Sequence, residues 1–355
     1  MKVIIEDFKP SGGKHCITNA LKQLFAYYQH PLSEAMLFGI GSGLAFTYIN
    51  LAASPMVSGR SKPIEFEQIL AERLKINSKC RQPKNYQVCL TKTKKLLQQK
   101  QPVLIYTDMP FMNYLGLDPH SHFGGHAVVL FGCDDQQEVF YVSDRDNSDY
   151  PIRTPKGDIA SDYHLVSYQE MEQARSSSFR PFPANNKYFE FDFLSYEEPQ
   201  TDIIITAIKD TCESMLRPPA KLLGINGIVK FSQEIEKWKK FDQKKLRTAG
   251  ITNYFQISKD GGTGGGIFRK LYGEFLLEAD QLIPDRGLTA VGTGFIKLAD
   301  EWDAVAEELW TLGNTGNAEM LPALSEQLST LASTERHLLE QLEALVAETH
   351  ETQKS

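Results

Sequence analysis

The chain has 355 residues, 41% of them hydrophobic and 23% charged, and 38 basic against 45 acidic side chains leave a formal charge of -7. At roughly 150 residues per domain this is about two domains, each long enough to bury a core, and 17 Pro and 25 Gly are too few for a collagen-like or largely disordered chain. No run approaches the roughly 18 to 20 apolar residues of a membrane span, and the acidic balance argues against a non-specific nucleic-acid binder, which draws its affinity from Lys and Arg.

The N-terminus has one Lys followed by acids, not the basic and apolar regions of a signal peptide, so the cytoplasm is the expected compartment. Ile17, Ala20, Leu21, Leu24, Phe25 and Tyr28 fall at steps of three and four and predict a helix over 15–29 with Cys16 at its start, reached through Pro10, Gly12 and Gly13. The run Gly39-Ile-Gly-Ser-Gly43 reads as a helix C-cap and turn, or as a place where a ligand approaches the backbone. A second helix is expected over 64–75, and strands over 102–108, 126–134 and 138–144, the last two forming an antiparallel hairpin about Asp135-Gln-Gln. Beyond about residue 195 the pattern turns mostly helical. The fold class expected is therefore α+β, divided into 1–195 and a helical domain over 196–355.

In that second part Val291, Phe295, Leu298, Trp302, Val305, Leu309 and Leu312 alternate steps of four and three, and Leu321, Leu324, Leu328, Leu331, Leu338, Leu342 and Leu345 repeat the pattern with Glu335 in one seam position. Two such helices joined around Gly313–Gly316 and Pro322 predict an antiparallel helical hairpin; the alternative use of the stripes is the seam of a homodimer.

Three residues carry candidate chemistry. A thiol at a helix N-terminus feels the positive end of the dipole and unpaired N–H groups, which favour thiolate and can donate to an oxyanion, so Cys16 is the candidate nucleophile. His126 opens an apolar strand after Gly124 and Gly125, where a base can reach a neighbouring helix. Positions 126 and 144 are equidistant from residue 135, so Asp144 is expected across the hairpin from His126, able to orient the imidazole. Asp146 is the alternative, because a shift of two residues keeps the same strand face. Cys, His and Asp then stand as nucleophile, base and orienter.

The segments 15–49, 125–135 and 141–144 resemble the N-terminal domain of the butirosin biosynthesis protein H family, within the papain-like cysteine peptidase group, and 251–279 resembles the helical domain that accompanies it. The resemblance implies a papain-like fold, a Cys16-His126-Asp144 triad, and an acyl group held on the Cys and passed to an amine. It implies an acyl carrier protein or another acyl thioester as donor, a small-molecule amine as acceptor, and a place in antibiotic biosynthesis. A hydrolase of peptide, amide or thioester would use the same triad, and a catalytically silent binding domain would keep the fold alone. Papain-like enzymes usually carry a Gln a few residues before the Cys as an oxyanion donor, whereas residues 9–15 here contain none. Lys14, His15 and Asn19 are the candidates for that place.

Other features are weighed against simpler uses. Asp118, His120, His122 and His126 are zinc-ligand types, but their spacing fits no helical zinc motif, so one catalytic His beside two loop residues is expected, with no metal and no cofactor. Five Cys (16, 80, 89, 133 and 212) make an odd, scattered set, read as free thiols. The glycine-rich stretch 261–266 precedes a helix with Arg269 and has backbone N–H groups suited to phosphate, which makes Gly262, Thr263, Gly264 and Arg269 candidate substrate contacts. It lacks Gly-Lys-Ser/Thr, and Ile267 replaces the last Gly of a dinucleotide fingerprint, so a tight structural loop is the competing reading.

Overall fold

A computed structural model describes every residue except 52, 121, 123, 124, 285 and 348–355. In chain order its elements begin with strand β1 (Lys2–Ile4), helix α1 (Cys16–Tyr27), helix α2 (Glu34–Ile40), strands β2 (Leu44–Asn50) and β3 (Pro55–Arg60), and helix α3 (Glu65–Arg73). They continue with β4 (Asn77–Arg81), α4 (Tyr86–Gln98), β5 (Val103–Asp108), β6 (Gly125–Asp134), β7 (Val139–Ser143), β8 (Ile152–Thr154), β9 (Gly157–Ile159), β10 (His164–Ser167), α5 (Tyr168–Ser176) and β11 (Tyr188–Asp192). Helices α6 (Thr201–Leu216), α7 (Gly224–Ile235), α8 (Gln243–Ile257), α9 (Arg269–Leu282), α10 (Leu288–Thr315) and α11 (Leu321–Ala347) complete the chain. No described helix is long and apolar enough to cross a membrane.

By contact the chain divides into two compact units, Met1–Glu34 with Lys75–Tyr196, and Ala35–Leu74 with Glu197–Ser355. Residues 35–74, placed with the N-terminal domain in the sequence division, thus count with the helices. The reason is local: β2 packs on α7, β3 packs on α8, and Asn253 of α8 both receives the Val57 N–H (3.0 Å) and donates to Pro55 O (2.9 Å).

The first unit is built on a seven-stranded sheet in the order β10-β7-β6-β5-β11-β4, with β1 added beside the far end of β6. Every described pairing in it is antiparallel, which with the flanking helices makes the unit α+β. β6 and β5 are apolar along nearly their whole length because both faces are covered. Helices α1 and α4 lie against β6, and α5 against β5. α1 turns Ile17, Leu21, Leu24 and Phe25 inward, each at most 1% exposed; such side chains contribute roughly 1.5 to 3 kcal/mol each relative to exposure. That face fixes the rotation of the helix, and hence the direction of Cys16.

The β6–β7 hairpin differs from the symmetric one expected. Asp134 pairs with Val139 and Cys133 with Phe140, a bulge intervenes between Leu130 and Gly132, and Leu130 then pairs with Val142. Residue 144 therefore continues toward the level of 128, two residues from the expected partner at 126. The offset arises from the turn, which by itself would set 144 opposite 129; the extra bulge residue in β6, Phe131, brings it back by one.

In the second unit α10 packs on α8, α9 and α11, and α11 packs on α6 and α7. α10 and α11 form the expected antiparallel hairpin, although α10 runs through Gly313 and Pro322 lies within α11. The heptad stripes are not an outward homodimer seam. Phe295, Trp302, Leu309, Leu324, Leu328 and Leu342 are fully buried within this one chain.

Candidate active site

The beginning of α1 is held by a residue from well downstream. His15 occupies the N-cap position in extended conformation, with no side-chain cap of its own. Glu34 takes its place: its carboxylate accepts the Lys14 N–H (2.8 Å), the His15 N–H (3.1 Å) and the Thr18 hydroxyl (2.6 Å). It thereby satisfies donors that a helix start leaves open. Gly13 makes this possible, since a Cβ there would stand 2.4 Å from both Glu34 Oε1 and Asn19 Oδ1. The preceding loop is pinned by Gly13 N–H to Arg145 O (2.8 Å), Lys22 to Gly12 O (2.6 Å), and Ser11 N–H to Gln23 Oε1 (3.2 Å), an oxygen that also accepts the Ser143 hydroxyl (2.6 Å). Cys16 is thus presented by a rigid turn.

His126 is the second residue of β6, opposite Thr107 of β5. Its Nε2 bonds Asp144 Oδ2 at 2.7 Å, and its imidazole is close enough to the Cys16 thiol for each group to shift the other's titration. Because Asp144 occupies Nε2, the lone pair for the thiol proton is on Nδ1. The Asp144 bond forms across the diagonal of the hairpin, just beyond the end of β7, and such diagonal neighbours remain within reach of a long side chain. Asp146, the alternative orienter, serves another imidazole: His164 Nε2 lies 2.8 and 3.1 Å from its two oxygens. The Asp144 carboxylate also accepts the Tyr114 hydroxyl at Oδ2 (2.7 Å) and the Arg145 N–H at Oδ1 (2.6 Å).

The group is nearly closed to solvent, with Cys16 8%, His126 5% and Asp144 3% exposed. Burial pushes the Cys16 thiol up, but the imidazoles of His15 and His126 outweigh it and hold the thiol well below its ordinary value. Burial would lower His126; the Asp144 carboxylate, with Cys16, raises it instead to about 10. Burial likewise pushes Asp144 up, and His126, Tyr114 and the Arg145 N–H bring it to about 2. The three shifts favour one arrangement, a thiolate beside an imidazolium that is anchored on a carboxylate.

The remaining expected site residues divide sharply. His15 is at the thiol, its Nδ1 4.0 Å from Cys16 Sγ. Asn19 is not free for a substrate: it is 1% exposed, and its amide donates to Ser11 O (2.9 Å) and Asp144 O (3.2 Å), so it braces the loop against the end of β7. The Lys14 N–H is taken by Glu34. Gly262, Thr263, Gly264 and Arg269 belong to the other unit. There Thr263 Oγ1 donates to Ile257 O and Ser258 O and accepts the Gly265 N–H, while the Gly266 N–H bonds Asp303 Oδ1 at 2.8 Å. The loop is occupied by its own anion, so the phosphate reading is replaced by the structural one. A Cβ on Gly266, whose φ is +54, would come within 2.3 Å of Ala299 Cα. Gly262 and Gly264 likewise adopt positive φ as parts of this turn. Arg269 is fully buried; it pairs with Glu335 (2.7 Å) and donates to Ile267 O (2.7 Å), Ala45 O and Gly59 O, which makes it a core residue and not a substrate contact.

The loop histidines also part company. His120 belongs to a turn on Asp118, and His122 bonds Asp108 (2.8 Å). Gly124 lies outside the described residues. Among those described, no three potential ligands gather to hold a metal, and all five Cys are free thiols. Gly39–Gly43 is a helix-ending turn, with N–H bonds from Gly41, Ser42 and Gly43 back to Leu37, Gly39 and Phe38. Sequence reading missed Glu34, Gln23 and Tyr114. Each acts across 12 or more residues, and the only local signal was a polar side chain in an otherwise apolar run.

Residues 15–145 match the family described as butirosin biosynthesis protein H, N-terminal, and residues 169–342 match a domain of unknown function, DUF4872. The first match begins one residue before Cys16 and ends one residue after Asp144. No curated protein matches the chain.

Proposed function

For a chain that belongs to the butirosin biosynthesis protein H-like family, with a C-terminal DUF4872 domain, we propose a cysteine-dependent acyltransferase that forms an amide from an acyl thioester and an amine, in the biosynthesis of an antibiotic-like product. The observation that carries this is Cys16 at the start of a helix packed on a sheet, beside an imidazole, His126, that is bonded to Asp144 at 2.7 Å and helps hold the thiol's titration down. That arrangement of helix-borne thiol and strand-borne imidazole supports reading the first unit as papain-like, with Cys16, His126 and Asp144 as its triad.

The chemistry follows from the resting ion pair. The Cys16 thiolate attacks the thioester carbonyl; the donor thiolate leaves and takes the proton of His126, giving an acyl-Cys16 and a neutral imidazole. An amine then attacks the acyl-Cys16, its proton passes to Nδ1 of His126, and the departing Cys16 thiolate restores the starting state. Exchange of one thioester for another is nearly balanced, whereas amide formation is downhill and draws the sequence forward. The Cys16 N–H, at the positive end of α1, is suited to the developing oxyanion, and His15 lies beside the same sulfur. A thiol only 8% exposed favours a donor carried on a slender arm, such as the prosthetic group of an acyl carrier protein, over a bulky one.

The test is intact-mass spectrometry of the protein incubated with a panel of acyl thioesters. A covalent acyl adduct that is absent from Cys16→Ala and discharged by amines supports the reading; discharge by water alone, with amines making no difference, turns it into a hydrolase. No adduct, together with a Cys16 alkylation rate no faster than that of an ordinary thiol between about pH 5 and 8, marks a silent binding domain.

A further inference from the structure

Asp144 Oδ2 receives two donors, His126 Nε2–H at 2.7 Å and the Tyr114 hydroxyl at 2.7 Å. Tyr114 lies in a short turn, Asn113–Leu115, and its ring is stacked on His164 with centroids 3.8 Å apart and planes within 9°. His164 stands at the start of β10, bonded to Asp146, which is 2% exposed and also accepts the Ser161 N–H (2.8 Å). A second His-Asp pair therefore fixes the ring whose hydroxyl touches the first.

Two donors on one carboxylate oxygen compete. Each draws electron density from the same lone-pair region, so the hydroxyl weakens the attraction that Asp144 exerts on the imidazolium. Tyr114 keeps its proton, because burial and the Asp144 charge both oppose its ionisation, so it remains a donor. A general base serves best when its proton affinity is near the working pH. A buried imidazole facing an otherwise undivided carboxylate would hold its proton too firmly to pass it on.

We propose that Tyr114 is a positioning residue that moderates the basicity of His126 through their shared oxygen on Asp144, with the His164-Asp146 pair holding Tyr114 in place. This rests on His126 being the base of the proposed reaction. Among the described residues, those facing the network are Cys16 at the start of α1, His15 at its N-cap, Asp144 and the Arg145 N–H beyond β7, and Asp146 and His164 beside the tyrosine ring.

The sign of the effect separates this role from a merely structural one. Tyr114→Phe keeps the stacked ring and removes the hydroxyl, so the His126 titration midpoint, followed by NMR of histidine-labelled full-length protein, should rise by about half a unit to one unit. Its Nε2 proton should move to lower field. If the hydroxyl only kept the carboxylate from drifting, the imidazolium would lose its partner and the midpoint would fall. Site-specific 3-fluorotyrosine at 114, a stronger donor of the same shape, should lower the midpoint, and it decides the matter if the Phe variant folds poorly. An unmoved His126, or a shift of the same sign in both variants, overturns the proposal. Absence of any acyl-Cys16 adduct would overturn the acyltransferase reading alone, because the titration needs no substrate.

Discussion

Glu34→Gln is the sharpest test of how the candidate nucleophile is presented. The carboxylate of Glu34, 8% exposed, accepts three donors, two of them backbone N–H groups at the start of α1. An amide keeps one acceptor oxygen. Placed where it still serves His15 and Thr18, it turns its NH2 toward the Lys14 N–H and leaves one donor facing another. One stranded, partly buried donor costs roughly 1 to 3 kcal/mol. Glu34→Ala strands all three, and even with water reaching Lys14 the loss should be on the order of 3 to 5 kcal/mol. At about 2 to 4 °C per kcal/mol, the Gln variant should melt several degrees below the native protein and the Ala variant clearly further. Hydrogen exchange of the peptide spanning α1 reports the same loss locally, without assuming a single transition for two units. Equal effects of Gln and Ala, or unchanged protection of α1 in the Ala variant, would refute the carboxylate as the cap.

Four further outcomes are expected. In His126→Ala the Cys16 thiol loses one of two imidazoles that oppose its burial, so its apparent pKa should rise by a unit or more; an iodoacetamide rate profile that reaches its plateau at the native pH would contradict the ion pair. Asp144→Asn should let burial pull His126 down from about 10, while Asp146→Asn, which acts only through His164 and Tyr114, should move it no further than Tyr114→Phe does, and NMR titration compares the two. Arg269→Met leaves Glu335 fully buried and unpaired, costing about 3 to 5 kcal/mol in denaturant unfolding, whereas Arg269→Met with Glu335→Leu should recover most of that. Gly13→Ala forces a Cβ against Asn19 and Glu34 and should cost about 1 to 3 kcal/mol, seen as a lowered melting temperature.

The local features of the candidate site were legible because they depend on neighbouring residues. The 3.6-residue stripe from Ile17 to Phe25 and the apolar run after His126 place the α1 start and the first strand of the hairpin. The pairing of 126 with 144 was reached through a symmetric hairpin that does not form; the side chains meet diagonally, and only the facing of the strand, which a two-residue offset preserves, survives from that derivation. The Glu34 cap and the Tyr114 contact join residues far apart in sequence, where periodicity carries no information. The glycine-rich loop offers N–H groups either to an anion or to its own turn, and nothing local in the sequence decides between them; the bond from the Gly266 N–H to Asp303 does. The excursion over 35–74 was invisible for a related reason: its apolar residues signal burial without saying against what.

That excursion bears on how such a protein can be divided or reassembled. Cys16 lies on one side of residues 35–74, and His126 and Asp144 lie on the other, yet all three belong to the same unit. A gene fragment ending near residue 195 would therefore carry a forty-residue passenger stripped of the helices that cover it. One ending at residue 34 would hold the thiol and His15 but neither His126 nor Asp144. Neither unit can be exchanged with a relative by a single crossover, so chimaeras meant to alter substrate preference need two junctions in the first third of the chain and a third near Tyr196.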